Sequence, residues 1–138
     1  MKIKLLNDTP APTYAKPGDA GLDLVSSIDV TIYPNEVQKI GTGIKCAIPT
    51  GHVGLLLPRS GLGSRGMTLA NTVGVIDSAY RGEIIAMCRN TGDDAIEIKK
   101  GDRFVQLLIM PVVQVELEQV DELDETERGE GGFGHSGT

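Results

Sequence analysis

The chain has no tryptophan, two phenylalanines and three tyrosines in 138 residues, so aliphatic side chains must build whatever core it has. Long amphipathic helices are missing as well. Eighteen glycines and seven prolines divide the chain into short segments joined by tight turns. Basic residues are scarce, with 13 Lys and Arg against 19 Asp and Glu for a net charge of −6, which argues against general nucleic-acid binding. A small phosphorylated ligand is still allowed, because local arginines, backbone amides and a divalent cation outweigh a distant negative field. Only two cysteines occur, Cys46 and Cys88, each inside an apolar run. That pattern predicts buried, reduced thiols rather than a disulfide framework, and the absence of any CxxC or Cys/His cluster gives no zinc signature. No stretch approaches membrane-spanning length, and the apolar part of MKIKLLNDTPAP is too short for a signal peptide. These absences predict a soluble, cytoplasmic protein.

What remains is a series of short β-type runs. Candidate strands are residues 3–6, 22–25, 30–33, 37–48, 53–57, 71–76, 83–89, 95–98 and 104–116. Turn signals such as Pro34-Asn35, Pro49-Thr50-Gly51, Asn90-Thr91-Gly92-Asp93 and Lys100-Gly101-Asp102 separate them. Only Ser60 to Gly66 offers a short helical turn. The spacing predicts one all-β domain, a barrel or sandwich, over residues 1–120. The run FVQLLIM from Phe104 to Met110 suits a strand covered on both faces, either in the core or against another subunit. After Val120 the chain turns acidic and then glycine-rich, so residues 121–138 read as a mobile arm.

The segment GVIDSAYRGE, Gly74 to Glu83, reads as a β-hairpin with chemistry at its tip, where Asp77 faces Tyr80 across the turn. A surface turn that uses Asp and Gly for backbone reasons is the plain alternative. PRSGLG, Pro58 to Gly63, joins a strand to a helical turn, where outward N–H groups, Arg59 and Ser60 suit phosphate oxygens. PGDAGLDL contributes Asp19 and Asp23, which are either turn-forming acids or partners of a metal-phosphate unit. In the arm, Arg128, Phe133, Ser136 and Thr138 combine a cation, a stacking face and two hydroxyls, as a closing lid over a nucleotide triphosphate requires; a frayed tail with an incidental Phe is the plain alternative.

PGDAGLDL, PRSGLG, NTVGVIDSAYRGE, GDRFVQLL and RGEGGFGHSG follow one another in this order. Together they resemble the five motifs of the trimeric dUTP pyrophosphatases, the dUTPases, over nearly the whole chain. The resemblance implies a jelly-roll-like β fold, a homotrimer with active sites between subunits and a C-terminal arm closing over a site. It also implies Mg2+-dependent hydrolysis of dUTP to dUMP and pyrophosphate, which limits dUTP and supplies dUMP for thymidylate synthesis.

Carried onto this sequence, the family pattern makes Asp77 the carboxylate that activates the water attacking the α-phosphorus. Asp23 holds the magnesium's water shell. Gly74, Val75 and Ile76, with Ile85 across the turn and Asn71 in support, read the uracil edge, and Tyr80 lies against the deoxyribose. Arg59, Ser60, Gly61 and Gln106 grip the phosphates, while Arg103 supports either that site or the trimer. From the arm, Phe133 stacks on the uracil, Arg128 and Ser136 hold the outer phosphates, and Gly134 is a further substrate-binding residue. The family often has a hydroxyl residue directly after GFG where this chain has His135, which moves the expected contact to Ser136. Two rival classes are a deoxycytidine triphosphate deaminase on the same general fold and a binding module that keeps the scaffold without catalysis.

Overall fold

Short strands form nearly all of the regular secondary structure in the computed structural model, which describes residues 1–132. In chain order they are β1 (Lys2–Leu5), β2 (Leu22–Val25), β3 (Val30–Ile32), β4 (Val37–Gly41), β5 (Ile44–Ala47) and β6 (His52–Pro58). A single helical turn, α1 (Ser60–Gly63), precedes β7 (Met67–Leu69), β8 (Gly74–Ile76), β9 (Ile85–Asn90), β10 (Ile96–Ile98) and β11 (Arg103–Pro111). The all-β expectation holds, with the strands arranged in open sheets rather than a closed ring. A four-stranded sheet has the order β2-β11-β6-β8, a three-stranded sheet the order β4-β9-β7, and β1-β5 and β10-β3 form two pairs. Among the described residues, no helix is long and apolar enough to cross a membrane.

Alternation explains the burial. In β9, Ala86, Cys88 and Asn90 point inward while Ile85, Met87 and Arg89 face out. Buried Asn90 is fully engaged: its side-chain amide donates to Ile32 O (2.9 Å) and Asp94 O (2.8 Å) and accepts from the Gly92 N–H (2.9 Å). The aliphatic core collects Leu24, Ile32, Ile40, Ile44, Leu56, Ile84, Ile96 and Ile98 around Phe104, the one buried aromatic among the described residues. Both cysteines are buried and free.

Several expectations are corrected. The segment read as one strand over residues 37–48 breaks at Thr42-Gly43, where Gly43 takes a φ of +68°. The long strand read to residue 116 stops at Pro111, whose ring leaves no N–H for a ladder, and residues 112–130 are exposed. Three-residue β7 carries no strand signal in the sequence, because it follows glycine-rich residues and is too short to alternate. The larger correction concerns the hairpin. β8 pairs with β6, and β9 pairs with β4 and β7, so Gly74 to Glu83 is a crossover between two sheets.

Candidate active site

Residues 77–84 cross from one sheet to the other and are tied down on the way. Backbone N–H groups of Thr42 and Ile84 donate to Ile84 O (3.1 Å) and Ile44 O (2.9 Å), and the Thr42 hydroxyl also donates to Ile84 O (2.8 Å). Glu83 adds a side-chain anchor, its Oε1 accepting from the Gly43 N–H at 2.8 Å. Close approach is possible because position 41 is glycine: a Cβ there would sit 2.5 Å from Glu83 Oε1 and 3.0 Å from Ser27 Oγ.

Between the two sheets this crossover leaves a cavity of about 160 Å3, lined by Val75, Ile76, Asp77, Tyr80, Glu83, Ile84 and Ile85. That is roughly five times the share of liquid volume one water occupies. β8 is the edge strand of its sheet, so backbone N–H and C=O groups at the mouth are free to pair with a ligand's polar edge. The Tyr80 N–H donates to Asp77 O (3.0 Å), closing the turn, and the Tyr80 hydroxyl donates to Glu83 O (2.9 Å). Its ring lies so close over Gly82 that a Cβ there would come within 2.8 Å of Cε2. Gly74 is buried below this mouth, and Asn71 lies on the exposed turn before β8 rather than in the lining.

A second cavity, of about 290 Å3, is lined by Ala15, Asp19, Ala20, Gly21, Asp23, Arg59, Ser60, Gln106 and Leu108. The pairing of β2, β11 and β6 puts Asp23, Gln106 and Leu57 side by side, and Arg59 and Ser60 follow where β6 ends. Gln106 donates to Pro58 O (3.2 Å), and Gly61 is exposed in α1. Asp23, its side chain only 10% exposed, accepts from Arg59 Nε (2.8 Å) and Arg103 Nη1 (3.1 Å). Arg59, the Ser60 hydroxyl and the Gln106 amide suit a polyphosphate, and Asp19 and Asp23 add two carboxylates to the lining. The set fits a magnesium ion that keeps waters and phosphate ligands, with Asp23 reaching it through water. Among the described residues no group of three or more His, Cys, Asp or Glu side chains could hold a metal by itself.

The predicted site residues therefore fall into two groups that the fold holds apart. Ile76 pairs with Gly54, which puts Asp77 near Val53. Arg59 is six residues farther along the same strand direction, about 20 Å at ~3.3 Å per residue. Arg128 is exposed in the C-terminal segment, its Nε donating to Gly131 O at 2.8 Å. Phe133, Gly134, His135 and Ser136 lie outside the described residues. The anchoring roles of Glu83 and Thr42 escaped the sequence reading, since a contact across 40 residues has no local signal.

The dUTPase family model matches residues 7–137. The chain is 47% identical to a deoxyuridine 5'-triphosphate nucleotidohydrolase of Idiomarina loihiensis, over 99% of this chain and 97% of that protein. It is 48% identical to the enzyme of the same name from Shewanella oneidensis, over 100% of this chain and 97% of the relative. Among solved structures, the dUTPase of Staphylococcus bacteriophage 80alpha with dUPNHPP superposes with a TM-score of 0.92 at 32% identity, covering 99% of this chain and 98% of that one. A mutant dUTPase from phage phi11 of S. aureus, described for its coordination of a structural Mg(II) ion, matches with a TM-score of 0.81 at 28% identity, over 88% and 96% of the two chains.

Proposed function

The chain belongs to the dUTPase family, and from that premise we propose that it hydrolyses dUTP to dUMP and pyrophosphate with Asp77 as the base. The observation that carries the assignment is the cavity at the β8 edge, which Asp77, Tyr80 and the edge-strand residues Val75 and Ile76 line together. Uracil presents acceptor, donor and acceptor along its pairing edge, and an extended backbone at Gly74, Val75, Ile76 and Ile85 answers it. Cytosine reverses part of that pattern, and each mismatched buried group would cost about 1 to 3 kcal/mol. Tyr80, with its hydroxyl held by Glu83 O, offers a ring face to the deoxyribose.

Asp77 then orients and deprotonates the water that attacks the α-phosphorus; the P–O bond to the bridging oxygen breaks, and pyrophosphate leaves. Arg59, Ser60, Gly61 and Gln106 neutralise and align the phosphates, and most of the acceleration comes from that alignment. Bound magnesium would draw charge from the phosphate oxygens, and Asp23 is the residue that would hold its water shell. The arm, residues 121–138, closes over the nucleotide with Phe133 and Gly134 on the base and Arg128 and Ser136 on the phosphates.

A site of this kind requires more than one copy of the chain. Asp77 and Arg59 of one chain are separated by about 20 Å of β-strand, farther than a triphosphate reaches. The exposed tail segment adds a second argument, because Val113 (85% exposed), Val115 (70%) and Leu117 (92%) alternate with polar residues like a strand awaiting a partner. A homotrimer with each active site between subunits satisfies both. The assignment is tested by incubating the protein and Mg2+ with dUTP, UTP, dTTP and dCTP in turn. Pyrophosphate release from dUTP alone is expected, and ammonia release from dCTP, or equal turnover of all four, would overturn it.

A further inference from the structure

The ladder between β2 and β11 has one irregularity, and it lies beside Asp23. Gln106 pairs with Asp23 and Val105 with Leu24, but Val25 is met by Arg103, so Phe104 is an extra residue on β11. Such a bulge turns the residues on its far side to the opposite face. Phe104 and Val105 are accordingly both buried in succession, and Arg103 emerges on the face that carries Asp23 and Gln106. In unbroken alternation Arg103 would share the buried face of Val105.

The consequence is a carboxylate with a separate arginine on each oxygen. Arg59 Nε meets Oδ1 at 2.8 Å and Arg103 Nη1 meets Oδ2 at 3.1 Å. The two arginines are not equivalent. Arg59 lines the 290 Å3 cavity together with Ser60 and Gln106. Arg103 does not border that cavity; it lines a neighbouring one with Leu62, Arg65, Glu97 and Asp102, so that Arg59 alone of the two borders both. The Arg103 guanidinium therefore approaches Asp23 from outside the phosphate cavity. Arg59 has a phosphate to turn to, whereas Arg103 has none in that cavity.

We propose that Arg103 is a positioning residue, delivered by the bulge, that keeps Asp23 aimed into the cavity when Arg59 leaves it for a phosphate oxygen. Without Arg103, Asp23 holds Arg59 back and loses its own orientation, so phosphate grip and metal shell weaken together. The proposal rests on the reading of Asp23 and Arg59 given above. A purely structural role is a weak rival, because an ion pair on a half-exposed arginine contributes little to stability.

The test is calorimetric titration of α,β-imido-dUTP into the full chain over a series of Mg2+ concentrations, with thermal melting and oligomeric state measured alongside. Arg103→Gln should raise the Mg2+ needed for half-maximal affinity by about tenfold, with the melting temperature nearly unchanged. Arg103→Lys should recover part of that loss and keeps the question answerable if the glutamine variant folds poorly. Asp23→Asn should shift the Mg2+ dependence too, and adding Arg103→Gln to it should then change nothing further. An Arg103 variant with the Mg2+ dependence of the parent, or an undiminished effect in the Asp23→Asn background, would overturn the proposal. If Asp23→Asn leaves the Mg2+ dependence unchanged, the assignment of Asp23 to the metal shell falls, and this inference falls with it.

Discussion

Asp77 is exposed where β8 ends and lines the cavity together with Tyr80. Asp77→Asn keeps the shape and removes the base, so α,β-imido-dUTP should bind with nearly parental affinity while turnover falls by about a hundredfold or more. Calorimetry beside a pyrophosphate-release assay reads both quantities, and a variant that turns over normally rejects the base assignment. Cys88 carries a different expectation. Burial pushes its thiol from 9.0 up to about 12, so above pH 9 the unfolded chain releases a proton that the folded chain retains. The stability this group contributes is complete below pH 9 and is lost as pH rises toward 12. Denaturant titrations from pH 8 to 11 should show that decline in the parent and a shallower one in Cys88→Ala. Single residues were the most legible scale, since Asp77, Tyr80, Arg59 and Asp23 each stand in a recognisable run of neighbours.

At the scale of elements, the crossover from β8 to β9 is braced by two glycines that make room for side chains. Gly41→Ala puts a methyl within 2.5 Å of Glu83 Oε1, so Glu83 must release the Gly43 N–H or the sheet must shift. A loss of about 1 to 3 kcal/mol is expected from the unsatisfied group, read as a lower denaturation midpoint. Gly82→Ala collides with the Tyr80 ring, and the expected outcome is a smaller preference for dUTP over UTP, measured as the ratio of kcat/KM values. The sequence announced that these strands exist through alternation and turn residues. It did not announce their partners, because period-two patterning records which face is buried and nothing about which strand lies alongside. That is why Gly74 to Glu83 read as a hairpin. The bulge at Phe104 was hidden for the same reason: two buried residues in succession look like any apolar run until the register against β2 is known.

For the whole molecule, the decisive fact is that β-sheet geometry holds the two halves of the candidate site apart, one at the β8 edge and one where β2, β11 and β6 run together. A sequence lists motifs without the distance between them, so the expectation of a homotrimer with sites between subunits came from the family resemblance and not from the spacing of the five motifs. Truncation after Val120 should leave a folded oligomer, by size-exclusion chromatography and melting temperature, with much weakened turnover if the arm closes over the nucleotide as proposed; full activity would reject that role. The most direct test of the composite site mixes two inactive variants, Asp77→Asn and Arg59→Ala, each purified alone, and then allows their subunits to exchange. Sites that draw Asp77 from one chain and Arg59 from another should regain dUTP hydrolysis in the mixture, approaching the fraction of intact sites set by random assortment. Exchange that demonstrably occurs and restores no activity would contradict the account.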